Sequence, residues 1–348
     1  MTKKPAATMF SLITGRWVSH LIFAAAKLEL ADHLKHGPRK VQELAVVAKV
    51  DSQALYRLLR ALASVGVFAE TAGKRFKLTP LAATLRRDIP GSMRAMALHH
   101  SLRYREEAWE QLLPALKTGE VPFLKAHGMS YFEYLEKHPK EFAIFNESMT
   151  SVSSSEDRAI ARAYKFSGIL TIVDVGGGHG SLLATILQAH PKLKGVLFDQ
   201  PSTQTRMQQE RQLTAKGVNE RCTIEGGNFF EAVPKDGDIY VLKRVLHDWD
   251  DDRCVTILAN CCAVMNKNGK ILVIESVIPP GNGPDRGKII DMQMFIIGGH
   301  ERTKEEFRTL FRKSGLKLNR VIPTRCPLSI VEAAPTLQRS RNQKLQPS

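Results

Sequence analysis

The chain has 348 residues, is 43% hydrophobic and carries a formal charge of +15 at pH 7, with a mean hydropathy of −0.19. That length suits two domains of ordinary size, and the composition is that of a soluble globular protein rather than a disordered or fibrous one. No apolar run reaches the ~18 residues of a membrane span, so no membrane partner is expected.

The stretch "MTKKPAATMFSLITGRWVSHLIFAAAK" is interrupted by Arg16 and His20. Residues 10–35 read as one amphipathic helix rather than a targeting signal, with Leu12, Ile13, Val18, Leu21, Ile22 and Ala25 as its buried stripe. A short helix over Val41–Ala48 follows, then a helix capped by Asp51. A hairpin of Val67–Glu70 and Arg75–Leu78 turns at "TAGK". That order is a winged helix-turn-helix, a fold that often binds DNA. Residues 1–100 hold 16 Lys/Arg against 6 Asp/Glu, but the charges are scattered, as on a solvated basic face. The second helix is dominated by Leu55, Leu58, Leu59, Leu62 and Val65, with Arg57 and Arg60 its only long basic residues. A groove-reading helix needs a polar, basic face, whereas this one is built to bury apolar surface against a partner. No nucleic acid is therefore expected, although a ligand-sensing DNA-binding regulator is the alternative from another functional class.

Residues 92–166 read as helical, interrupted at "KTGEVPFLKAHGMS", with Pro114 and Pro122 as breakers. From Gly168 the rhythm becomes alternating strand and helix. Candidate strands are Leu170–Val175, Gly195–Phe198, Cys222–Glu225, Ile239–Leu242 and Lys270–Glu275. Lys317–Pro323 and Leu328–Ala333 should then pair as an antiparallel hairpin. The expected fold is α/β: a Rossmann-like domain of seven strands, helices on both faces, preceded by the winged-helix-like domain. Boundaries fall at 1–100, 101–166 (a helical linker), 167–335, and a polar, disordered tail at 336–348. Five cysteines without a C-x-x-C pair fit a reduced cytoplasm and imply no zinc.

In "IVDVGGGHGSLLATIL" four glycines occupy the five positions 176–180. Such a loop between strand and helix lets a ligand approach the backbone and meet the helix N-terminus. A dinucleotide and S-adenosylmethionine are the two candidates. Gly176, Gly178 and Gly180 give G-x-G-x-G rather than the dinucleotide spacing G-x-G-x-x-G, because position 181 is serine. Asp174 would repel a pyrophosphate but suits the ammonium of a methionine moiety, which selects S-adenosylmethionine. The second strand ends in "LFDQP", where Asp199 can accept both ribose hydroxyls; Asn228 and Phe229 of "GGNFF" stand where an adenine would lie.

These motifs, with "LKRVLHDWDDDRC", "ILVIESVIP" and "GGHERTKEEFRTLFRKSGL", resemble the class I methyltransferases. More narrowly, they are similar to the O-methyltransferase family of plant caffeic acid and animal acetylserotonin O-methyltransferases and bacterial tailoring enzymes, over roughly residues 10–335. Asn228 departs from the family's usual aspartate. Methyl transfer to a hydroxyl needs alignment and a base, and His247, past the fourth strand, is the candidate. The resemblance implies that Glu275 and Glu301 orient its ring, that Lys243 contacts the cofactor, and that Phe145, Met149 and Met294 line the acceptor pocket, with Tyr134 a further candidate. It also implies an intertwined homodimer formed by the N-terminal domain. The apolar lining suits a flat aromatic or polyketide-like acceptor. No cluster at metal-ligand spacing occurs, so no metal is expected. An N- or C-methyltransferase on the same fold is the alternative within methyl transfer.

Overall fold

The computed structural model describes residues 4–200 and 203–336, so the expected tail from residue 337 onward lies outside the described residues. The chain forms two compact units, Met1–Ser155 and Glu156–Ser348.

In the first unit the expected single helix over 10–35 is three: Pro5–Ile13, Gly15–Lys27 and Leu30–His33. Glu29 interrupts the last pair in a left-handed conformation, φ 53°. This corrects the expected stripe. Ala25 is buried, but Leu12 and Ile13 are 71% and 67% exposed, as are Met9, Phe10 and Trp17 in large part. Among the described residues, Pro5–Lys27 is also long and apolar enough to cross a membrane by length and composition, with mean hydropathy 1.2. The run-based reading missed it because Arg16 divides the apolar residues.

Helices Val41–Ala48 and Ser52–Ser64 follow, the latter capped by Asp51, which accepts from Ala54 N at 2.8 Å. The three-stranded wing is β1 (Arg39–Lys40), β2 (Phe68–Thr71) and β3 (Arg75–Leu78), in the order β1-β3-β2. Leu55, Leu59 and Leu62 turn into this unit's own core beside Leu30, Leu44, Phe68 and Phe76. The apolar stripe expected to face a partner is therefore largely spent on the domain itself, since a small unit needs every large apolar residue for its core. Pro122 does not break a helix; it starts one, Pro122–His127, where its missing N–H costs nothing.

The second unit is the expected α/β sheet. Its strands are β4 (Thr171–Val175), β5 (Lys194–Asp199), β6 (Cys222–Gly226), β7 (Ile239–Lys243) and β8 (Lys270–Glu275). Beyond them come β9 (Val277–Ile278), β10 (Arg302–Thr303), β11 (Leu316–Pro323) and β12 (Ser329–Pro335). The seven-stranded order is β11-β12-β8-β7-β4-β5-β6; the five central strands run parallel, and β12 pairs antiparallel with β8 and β11. Alternation along β4 sends Ile172 into one core with Leu183, Leu187 and Ile160, and Val173 and Val175 into the other with Ile257, Phe307 and Phe311. Burial on both faces is what a parallel sheet requires. Because β5 and β7 flank β4, the strand order reverses there, and a crevice opens beyond the C-terminal strand ends. All the catalytic-domain candidates lie at that edge or in the segment following β9.

Candidate active site

The glycine loop folds back onto the end of β5. Gly176, Gly178 and Gly180 have φ of 69°, 55° and 77°, conformations that cost other residues about 1–2 kcal/mol. Gly176 N and Gly177 N donate to Phe198 O at 2.8 and 3.3 Å. A Cβ at Gly177 would strike Leu197 and the Asp174 carboxylate, whereas a Cβ at Gly178 would meet open space. The loop therefore packs tightly below and presents Gly178 outward. Asp199 receives Gly178 N at 2.6 Å and Gln200 N at 2.7 Å, so the candidate ribose acceptor is already aimed by the loop it would work beside. Asp174 is buried, and neither of its oxygens has a hydrogen-bond partner. Burial lifts its pKa to about 7, with Asp157 and Asp199 adding and Lys243 opposing. A buried carboxylate in want of a cation, under a loop with an open glycine face, fits the ammonium-bearing end of S-adenosylmethionine.

On the adenine side the two candidates differ. Asn228 Oδ1 accepts from Phe230 N at 3.0 Å and its Nδ2 donates to Glu231 at 2.9 Å, so this amide closes its own turn. The Phe229 ring lies beside the loop, 3.8 Å from where a Cβ on Gly176 would stand, and meets Phe230 edge-on at 4.8 Å. Lys243 donates to Asp157 at 2.6 Å, and Asp157 also receives the Ser181 hydroxyl at 2.6 Å. Arg244, strained at φ 55°, donates to Glu156 at 2.7 Å. Sequence reasoning missed Glu156 and Asp157. Their signal was helical spacing: both acids continue, one turn earlier, the stripe later occupied by Ile160, Ala161 and Tyr164.

His247 sits on a single tight turn, Leu246–Asp248, just after β7. Its Nδ1 lies 2.9 Å from Glu301 Oε1, an arrangement in which Nδ1–H donates and Nε2 is left as the basic nitrogen. Glu275 acts elsewhere: its Oε1 accepts the His247 backbone N–H at 3.0 Å. The two acids expected to hold the ring thus divide the work, one on the ring and one on the main chain. Asp248 Oδ1 stands 3.6 Å from Nε2. Burial alone would lower the histidine's pKa, but Asp248, Glu301 and Glu275 outweigh it and carry it to about 9. Burial pushes Glu275 up to about 7, against the opposing pull of His247.

Arg302, fully buried, is the other residue missed. It donates to Leu246 O and Trp249 O, each at 3.0 Å, and to Asp251 at 2.9 Å, holding both ends of the histidine turn. Parallel pairing of β9 with β10 sets Arg302 and Glu301 beside the segment that follows Glu275. Met294 is buried near the same turn: its carbonyl accepts Gly299 N at 2.7 Å, and His300 N donates to His247 O at 2.7 Å. Phe145 and Met149 belong to the first unit, both half-buried. Phe145 lies edge-on to His99 at 5.5 Å and Tyr131 at 5.8 Å. Tyr134 stacks on His138 at 3.8 Å.

Residues 109–317 match a family model described as the O-methyltransferase domain, and residues 10–88 match the O-methyltransferase dimerisation domain. The phenazine O-methyltransferase PhzM of Lysobacter antibioticus is 44% identical over 332 residues, 95% of this chain and 96% of that protein. The crystal structure of LaPhzM superposes with a TM-score of 0.91 at 43% identity, covering 96% of this chain and 100% of that one. CalO1, a methyltransferase in calicheamicin biosynthesis solved in its SAH-bound form, gives 0.84 at 36% identity, over 96% and 100% of the two chains.

Proposed function

The chain belongs to the O-methyltransferase family and is an S-adenosylmethionine-dependent O-methyltransferase of small-molecule biosynthesis; from that premise we propose that it methylates a hydroxyl of a flat aromatic acceptor with His247 as general base. The observation that carries the reading is the Nδ1 contact to Glu301 at 2.9 Å, which leaves Nε2 as the ring's basic nitrogen. When bound, the donor supplies an electrophilic methyl on a sulfonium. Asp174 and Asp199 hold it, Gly178 keeps the backbone approachable, and Phe229 offers a flat apolar face beside the loop. Asn228 acts through its turn, and Lys243 through the acids it pairs with. Met294, buried near the histidine turn, lines the acceptor's place.

The base is well matched to its task. A pKa of about 9 for His247 lies near the ~10 of a phenol, so proton transfer between them is nearly balanced. Glu301 then stabilises the imidazolium, as the acid of a triad does. His247→Ala should lower turnover ~10²–10⁴-fold without weakening donor binding. Full turnover of this variant on a weakly acidic phenol would instead make positioning sufficient, and an N- or C-acceptor the better reading.

A homodimer built by the N-terminal unit is part of the same proposal, supported by the matched dimerisation domain and by the exposed Met9, Phe10, Leu12, Ile13 and Trp17. The free thiols of all five cysteines support a reducing, cytoplasmic setting.

A further inference from the structure

Within the first unit, Arg105 is 4% exposed, yet among the described residues no carboxylate stands within ion-pair distance of it. The two acids that directly follow it are engaged elsewhere: Glu106 pairs with Arg16 at 2.7 Å and Glu107 with Arg103 at 2.8 Å. An arginine cannot shed its proton, so a buried one is costly unless an anion or a full set of acceptors meets it. Arg105 has neither. Only Nη1 is engaged, donating to Tyr131 Oη at 3.1 Å and lying 3.2 Å from His99 Nε2. The Nε–Nη2 edge, the one that grips a carboxylate through two parallel hydrogen bonds, donates to nothing among the described residues, and Nε is buried without a partner there. Two more buried polar atoms beside it, His99 Nδ1 and Tyr104 Oη, are also unpartnered.

The surroundings suit a planar monoanion on an aromatic body. Burial, with Arg105 and His100 adding, drives the His99 pKa down to about 2, so His99 is neutral and the cluster carries a single positive charge. One guanidinium balances a carboxylate but not a phosphate dianion. The rings of Tyr131 and Phe145 frame the spot, the guanidinium lying 5.8 Å from the Tyr131 centroid. His100, the exposed neighbour of His99, meets its ring edge-on at 5.3 Å.

We propose that Arg105, with His99 and Tyr131, binds the carboxylate of an aromatic acid, and that the acceptors of this enzyme belong to that class. The second clause rests on the acceptor reading above; the first does not. The test uses the full-length protein and two probe pairs. In equilibrium binding, naphthoate should bind more tightly than naphthamide, and Arg105→Gln should cut naphthoate affinity about ten- to a hundredfold while leaving naphthamide unchanged. In turnover, hydroxynaphthoate should have a lower KM than naphthol, and the variant should erase that difference with little change in kcat.

Should Arg105→Gln lose its fold by circular dichroism, Arg105→Lys reads the same contrast, keeping the charge without the fork. Equal binding of naphthoate and naphthamide, or an unaltered preference in a folded variant, overturns the proposal. So does conversion of a dimer to a monomer by Arg105→Lys, which would make a second copy the missing anion. A protein that prefers naphthoate through Arg105 yet methylates neither acceptor supports the anion site and contradicts the acceptor reading. Equal turnover of both acceptors, unmoved by the variant, does the reverse.

Discussion

At the scale of single residues, the histidine's acidity is the most testable quantity. Because carboxylates raise the pKa of His247 to about 9, kcat/KM should climb with pH and flatten above about 9. Glu301→Gln removes one of those charges, so the rise should move to lower pH and the plateau should fall, by less than for His247→Ala. The same shift bears on stability. A histidine whose folded pKa lies above its unfolded value of ~6.5 stabilises the fold fully below that value. That contribution is lost as pH rises from there through about 9, and a pH series of Tm on wild type against His247→Ala isolates it. Gly178→Val should abolish donor binding, because the side chain enters the open space over the loop; the strained φ should cost a further ~1–2 kcal/mol of stability. Calorimetry showing unaltered donor affinity in that variant would remove the loop from the binding site. The glycines, Asp174, Asp199 and His247 were legible because each lies at or just past a strand end, beside a marked turn. Arg302, Glu156 and Asp157 were not, because what distinguishes them is burial against partners distant in sequence, and charged residues by themselves suggest surface.

Among the elements, strands were read within one or two residues wherever apolar runs stood between turns, as at Lys270–Glu275. The N-terminal helix was misread because helical periodicity continues across Thr14 and Glu29, and nothing in the residue types there announces a break; glutamate rarely adopts the left-handed conformation found at position 29. The winged helix was legible in outline but not in its use. Its second helix gives Leu55, Leu59 and Leu62 to the core and leaves Arg57 and Arg60 flanking an open groove of about 630 Å³ with Leu21, Leu58 and Ala61. Duplex DNA should therefore bind only through scattered charge, and such binding should fade by ~200 mM salt. Sequence-specific retention at that salt, in a filter or gel assay, would restore the regulator reading. Arg302→Met tests the element that carries the base. The change removes the charged donor from Leu246 O and Trp249 O, leaving them the Cys254 thiol and, for Leu246 O, the Trp249 N–H. Hydrogen bonds to a charged group are worth about 1.5–3 kcal/mol each, so Tm should fall, and turnover should fall further than the remaining folded fraction explains.

For the whole molecule, the exposed side chains of Leu12, Ile13 and Trp17 form an apolar surface of the kind that marks an interface. The full chain should sediment as a dimer at micromolar concentration, and the pair Leu12→Asp with Ile13→Asp should shift it toward monomer. A monomeric wild type would separate the matched dimerisation domain from assembly in this protein.

The carboxylate cage around His247 also links donor affinity to pH. Methyl transfer begins with a positive charge on sulfur and, once the hydroxyl proton has moved, ends with one on the imidazole. A ring that rests protonated below about pH 9 already holds the final charge, and it repels a sulfonium brought to the same crevice. Loading the donor must then expel a proton from the ring into solvent. Donor affinity should rise with pH and level off once the ring is neutral, while the spent thioether, uncharged at sulfur, should bind with little pH dependence. Binding heats measured near neutral pH in buffers of different ionisation enthalpy would report that proton directly, and in His247→Ala they should coincide. Acidification would therefore trap the enzyme with its own product, so inhibition by the spent donor should be strongest where turnover is slowest.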